Sequence, residues 1–299
     1  ANDAFDGITY AKGQAFLRML EHYMGEEVFQ SGIRAYLNKH QYSNTTSADL
    51  WAALQQASGK PVAQLSQSWT TQPGFPQISV SQRCVDGQRQ IELTQQQFRE
   101  QGAPTTRLWS IPLQLQYGYA NAETVMFNSK SMKLTRPGCD AVLMLDPQDV
   151  GFFRVQYSPT MFEQLQRQWS SLPDSLRLKL MSDTWAQVRM GQLPLAKYMA
   201  LVRQLGDEPR LAIWEQAFET LSSVNQLGRG QPWFPAWQQY WHQMLAPRFA
   251  KLGWAEIAGE TDEQRQLRAR FIGVMSELDQ PGFVAEGQIL FQRWRKDPA

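Results

Sequence analysis

The sequence predicts a multi-domain α+β fold: a helical segment, a small antiparallel β-sandwich, and an α-helical solenoid-like array. Three observations predict it. Apolar residues recur at helical spacing as far as Thr71, the period drops to two between Pro76 and Tyr157, and helical spacing returns from Ser158 onward. The stretch Gln72-Pro73-Gly74-Phe75-Pro76 divides the first two regimes, because its prolines lack an amide donor and its glycine permits a turn. A chain of 299 residues has room for two or three domains. The expected boundaries are 1–71, 72–157 and 158–299.

In the first region Ala15, Phe16, Met19, Leu20 and Tyr23 share one helix face, and Phe29, Ile33, Tyr36 and Leu37 form a second. Ser47 is the expected N-cap of a third helix, which carries Leu50, Trp51 and Leu54 and which Gly59 can end. Val62, Leu65 and Trp69 mark a fourth. In the sandwich, Ile78 and Val80 alternate, then Ile91 and Leu93, with Asp86-Gly87 as a hairpin turn between them. Ile111, Leu113, Leu115 and Tyr117 follow on one face, then Val125 and Phe127, and Val142–Leu145 and Phe152–Tyr157 bring the total to about seven strands. In the last region Leu178, Met181, Trp185 and Val188 share a face, with Gly191 as the stop. Tyr198, Leu201, Val202 and Leu205 form the next helix. Ile213, Trp214, Ala217 and Leu221 follow, and later Leu267, Phe271, Val274 and Leu278. Amphipathic helices joined by short loops suggest stacked pairs.

The formal net charge of +1 gives no strong field for nucleic acid or anionic lipid. No run of eighteen apolar residues occurs, so no membrane span is expected. The two cysteines, Cys84 and Cys139, are too few for a disulfide scaffold and lie in no CxxC or Cys/His pattern. Each falls just outside an expected strand of one domain, which leaves one bridge or two free thiols. A bridge favours an extracytoplasmic compartment, and so periplasm or secretion over cytoplasm.

Zinc hydrolases place ligands at helical spacing, as in H-E-x-x-H. The three histidines here, His22, His40 and His242, lie far apart. His22 and Glu26 stand four apart, which reads as a solvated helix face. There is no GxSxG, P-loop or GxGxxG, so no complete active site and no metal site is expected in this chain. Trp233, Trp237 and Trp241 fall at i, i+4, i+8 and read as helix packing rather than a stacking platform, because Phe234 and Leu245 thicken the same surface. Tyr10, on pattern alone, reads as packing at a helix entrance.

Its neighbours change that reading. FDGITYAKG contributes Phe5, Asp6, Ile8, Tyr10, Lys12 and Gly13. Met19-Leu20, Gly25-Glu26, Phe29, Tyr36-Leu37, His40, Tyr42, Asn44 and Asp49-Leu50-Trp51 follow in order. With WTTQPGFPQISV from Trp69, GFFRVQY from Gly151, and the helical stretches LRLKLMSDTWAQVRMGQLPL and LGWAEIAGETDEQRQLRARF, this closely resembles the M1 family of zinc aminopeptidases, the gluzincins. One departure is Asp146, where many relatives carry asparagine.

The resemblance implies a thermolysin-like zinc domain, whose helical end is residues 1–71, then the sandwich, then a helical C-terminal domain that continues beyond this chain. The zinc ligands, the glutamate base and the Gly-x-Met-Glu-Asn motif would all lie upstream. It therefore implies a piece of a larger enzyme: zinc in the parent protein, none in this chain, and no activity of the chain alone. Tyr10 would donate a hydrogen bond to the oxyanion. Phe5 would border the first substrate side-chain pocket, and Lys12 and Gly13 would fix the helix start. The implied partners are peptide substrates and the upstream catalytic and N-terminal domains. The alternative is a noncatalytic peptidase-like binding or interaction module, which loss of the upstream ligands would favour.

Overall fold

A computed structural model describes residues 8–100, 102 and 105–297 and begins on a π-helical turn, Ile8–Lys12, that runs into α1, Gly13–Met24. α1 buries Phe16, Met19, Leu20 and Met24 along one stripe, as their spacing predicts. Gly25, at φ 92°, separates it from α2, Glu26–Lys39. α2 packs on α3, Ser47–Ser58, closely enough that a Cβ at Gly32 would stand 2.9 Å from Leu54 Cδ2. The cap of α3 is Thr46, not Ser47. Asp49 stands three residues after Thr46, and its Oδ2 accepts from the Thr46 amide and hydroxyl, both at 2.8 Å. α4, Val62–Thr70, ends the helical layer.

Trp69 joins that layer to the sandwich. It is buried, stacks on Phe16 at 5.7 Å, meets Trp109 and Phe152 at 6.3 and 6.1 Å, and donates its indole N–H to the Ser110 carbonyl at 2.8 Å. The strands are β1 (Pro76–Val85), β2 (Gln88–Gln97), β3 (Ile111–Tyr117), β4 (Glu123–Phe127), β5 (Ser131–Pro137), β6 (Leu143–Leu145) and β7 (Arg154–Tyr157). They form one sheet in the order β5-β2-β1-β7 and another in the order β4-β3-β6. Ile78, Val80, Ile91 and Leu93 of the first share a core with Ile111, Leu113, Leu115, Phe127, Leu143 and Leu145 of the second. Asp86 and Gly87 both take positive φ, as a two-residue hairpin turn requires.

Pairing is antiparallel except between β1 and β7, which run parallel with Gln77 opposite Arg154 and Val80 opposite Tyr157. Parallel neighbours need a long connection, and here the intervening strands supply it. β5 is not among the strands named from periodicity. It is an edge strand in which only Met132 and Leu134 carry the apolar alternation, and both are half-buried.

After the sandwich come α5 (Pro159–Arg167), a 3₁₀ turn (Trp169–Ser171) and α6 (Asp174–Arg189). Of the expected apolar face of α6 only Met181 is buried, while Leu178, Trp185 and Val188 are half-buried. The helix instead turns Leu176, Lys179, Leu180, Asp183, Thr184, Ala186 and Gln187 inward, so its polar side is the covered one. The reason is pairing. Lys179 Nζ donates to the Phe153 carbonyl at 3.0 Å and lies 3.2, 3.6 and 3.6 Å from carboxylate oxygens of Asp149, Asp146 and Asp183. Asp183 accepts from the Val155 amide at 2.9 Å and from Arg154 at 3.1 Å, and Asp146 accepts from the Val150 and Gly151 amides. The chain divides into two compact units, Ala1–Gln192 and Leu193–Ala299, so α5 and α6 belong with the sandwich unit.

Among the described residues, the second unit holds α7 (Leu195–Val202), α8 (Leu211–Gly228), α9 (Phe234–Leu252), α10 (Asp262–Ser276) and α11 (Pro281–Lys296). α10 packs against α8, α9 and α11. Trp214 and Phe218 of α8 meet Phe271 of α10 edge-on at 4.8 and 5.2 Å. Trp241 is fully buried, and Trp237 meets it at 5.8 Å and donates to Asn225 at 3.0 Å. Trp233 precedes the helix and covers Gly228, where a Cβ would come within 2.6 Å of the indole. Two of the three tryptophans therefore pack along α9, and the third closes the α8–α9 loop.

Candidate functional site

Tyr10 sits at the centre of the π-helical turn and is 59% exposed. Turns of this type interrupt the regular α-helical ladder and recur at functional sites. α1 fixes the turn from one side, because its apolar stripe is locked into the core through Phe16, which touches Trp51 and Trp69. Lys12 ends the turn and occupies the N-cap of α1, but its side chain makes no cap bond. Its Nζ instead donates to the Gln72 carbonyl at 3.0 Å, sixty residues along the chain. Burial lowers the Lys12 pKa from its ordinary value. Gln72 is held in turn, since its side-chain amide donates to the Leu108 carbonyl at 2.8 Å. Phe5 lies outside the described residues.

His22 and Glu26 do not act as a pair. His22 belongs to α1 and Glu26 to the first turn of α2, with Gly25 between. The His22 imidazole meets the Gln114 side-chain amide of β3, and Glu26 accepts from Gln30 at 3.2 Å. The contact explains why Gln114 is buried in a strand whose other face already lines the sandwich core. Among the described residues, no three His, Cys, Asp or Glu side chains come together in a way that could hold a metal ion.

Cys84, at the end of β1, is bonded to Cys139 in the β5–β6 connection, with a Cα–Cα distance of 5.9 Å. The buried Arg89 fastens the same connection. Its guanidinium donates to the Gly138 carbonyl at 3.3 Å and to the Ala141 carbonyl. No helix among the described residues is long and apolar enough to cross a membrane.

Comparison with known proteins gives this arrangement its setting. Residues 142–299 match the family of the ERAP1-like C-terminal domain, and residues 1–69 match the peptidase family M1 domain. Aminopeptidase M1-A of Oryza sativa subsp. japonica is 30% identical across 99% of this chain and 35% of its own length. Glutamyl aminopeptidase of Bitis rhinoceros is 29% identical across 97% of this chain and 31% of its own. Puromycin-sensitive aminopeptidase of Caenorhabditis elegans is 31% identical across 90% of this chain and 29% of its own. The chain belongs to the M1 aminopeptidase family, and it spans about a third of the length of the curated relatives it matches.

Two features escaped sequence reasoning. The Lys12–Gln72 bond had no local signal, because its partners are far apart and one is a backbone carbonyl. The His22–Gln114 contact had none either, because a histidine on an amphipathic helix looks the same whether a strand or water faces it.

Proposed function

We propose that this chain supplies the oxyanion-binding tyrosine, and the domains behind it, of a zinc-dependent aminopeptidase that removes N-terminal residues from peptides. Attack on the scissile carbonyl makes its oxygen anionic. The Tyr10 hydroxyl donates a hydrogen bond to that oxygen and is aimed before the reaction by the turn that carries it. The observation that carries the reading is the exposure of Tyr10 on a π-helical turn, within the segment that matches the M1 peptidase domain. Zinc, which the family implies, would supply carbonyl polarisation and water activation when bound in the complete protein. Its ligands and the general base come from residues other than those described. On this reading the chain alone binds no zinc and hydrolyses nothing. Elemental analysis and an aminoacyl-anilide assay on the purified chain check both statements.

The reading is tested in the complete gene product by Tyr10→Phe. Turnover should fall about 10²–10³-fold, with zinc content and thermal midpoint unchanged. Unchanged turnover would remove Tyr10 from the mechanism. Phe5 is proposed to border the first substrate side-chain pocket, so Phe5→Ala should alter the preference among N-terminal residues more than it alters turnover. The Cys84–Cys139 bond supports a periplasmic or secreted location, and fractionation of the source cells tests that.

A further inference from the structure

We infer that Lys12 is a positioning residue for Tyr10, acting through its bond to the Gln72 carbonyl. The inference rests on the reading of Tyr10 as the oxyanion donor. Lys12 stands at the start of α1, where an ammonium has no acceptor to offer the first-turn amides, and lysine heads ordinarily extend into water. Here the ammonium is half-buried and turned onto a neutral carbonyl at 3.0 Å, between elements sixty residues apart. Withdrawing an ammonium from water for an uncharged acceptor is unfavourable compared with leaving it solvated, so the contact needs a reason beyond stability.

The anchor is held from several sides. Gln72 stands one residue past the C-cap of α4, Thr71, and precedes Pro73, whose φ is fixed. Its side-chain amide is bound to the Leu108 carbonyl, and Trp69, three residues earlier, is bound to the Ser110 carbonyl. Lys12 therefore ties the turn to the point where the helical layer meets the sandwich. Tyr10 lies two residues away on the same turn. An oxyanion donor is useful only when held within about 0.5 Å of its productive position. A π-helical turn departs from the regular α-helical ladder, and the Lys12–Gln72 bond adds a constraint on it from another element.

The test uses the complete gene product, with kcat and KM measured separately. Lys12→Met keeps the length of the side chain and loses the donor. It should lower kcat about tenfold or more and leave KM within about twofold. Lys12→Arg, which can still donate to the carbonyl, should recover most of that loss. In a Tyr10→Phe background, Lys12→Met should cost nothing further, because the two residues act as one unit. Retained kcat in Lys12→Met overturns the inference, and so do losses that multiply in the double variant. If Lys12→Met does not fold, Gln72→Ala, which frees the anchor from Leu108, is read instead. A lower kcat at unchanged KM supports the tether, and unchanged kcat overturns it. If Tyr10→Phe itself leaves turnover intact, the reading of Tyr10 falls and the tether with it. If Tyr10→Phe cuts turnover and Lys12→Met does not, the tether alone falls.

Discussion

At least three lysines of the first unit are drawn in from water: Lys60, which donates to the Tyr23 carbonyl and lies over the Tyr23 ring, and Lys179 and Lys12, which are built in opposite ways. Lys179 lies deep between α6 and the sandwich exit, with three aspartates and a carbonyl around it. Burial alone would lower its pKa, but Asp183, Asp146 and Asp149 together outweigh burial and raise it. Lys12 is half-buried against a carbonyl, and burial lowers its pKa. The first is a closed charge cluster that fastens a helix to a sheet. The second is a single tether beside a tyrosine that faces outward. The difference teaches how to separate fastening from function in this unit. A compensated buried charge should matter for folding, and an uncompensated one two residues from an exposed tyrosine should matter for turnover.

Four changes sharpen or break that contrast, and all of them should spare the turnover of the folded protein. Lys179→Met leaves three carboxylates around an empty centre and should destabilise the first unit by about 3–5 kcal/mol, read as a lower urea midpoint. Lower turnover without lower stability would invert the comparison. Cys84→Ser opens the disulfide, which closes a loop over a separation of 55 residues. It should cost about 2–4 kcal/mol, checked by thermal midpoints with and without reductant. Thr46→Ala removes the cap of α3, a loss of about 0.5–2 kcal/mol by the same measurement.

Asp146→Asn tests the cluster from its acidic side. Val150 and Gly151 donate to different oxygens of Asp146, so the amide keeps an acceptor for only one of them, and it removes one of the carboxylates that share a single ammonium. The cost near neutral pH should be about 1–3 kcal/mol. Its size depends on pH. Burial raises the Asp146 carboxyl above its ordinary 3.8, with Lys179 opposing. Its contribution to stability is thus full below that value and is lost as pH rises through the raised folded value. Relative to the parent, the variant should gain stability as pH climbs through that window. Urea midpoints taken across acid to neutral pH would show the gain, and a loss would contradict the assignment.

Much of the fold was legible before any coordinates, because apolar period reports burial. The stripe of α1, the Asp86-Gly87 hairpin and the Gly59 stop all follow from local rules. β5 was not legible, since an edge strand needs only half an apolar face and here that face is Met132 and Leu134 alone, with Arg136 at the next position. The cap at Thr46 was one residue off in a run of hydroxyls, although Asp49 three positions on could have decided it. The polar face of α6 was misjudged for a deeper reason. Lys179 and Asp183 look like solvent residues until Asp146, about thirty positions upstream, is brought against them. The site divides in the same way. Tyr10 is proposed as a site residue only through the family resemblance, and neither the π-helical form of its turn nor the reach of Lys12 to Gln72 has any local signature.

The central claim is that the Tyr10 hydroxyl binds an oxygen that carries charge only during the reaction. The most direct measurement is inhibition of the complete gene product, with and without Tyr10→Phe, by a tetrahedral phosphinic peptide and by a planar amide of the same sequence. The account predicts that the substitution weakens the tetrahedral inhibitor by about 10²-fold and leaves the planar one unchanged. Equal losses for both inhibitors, or none for either, would contradict it.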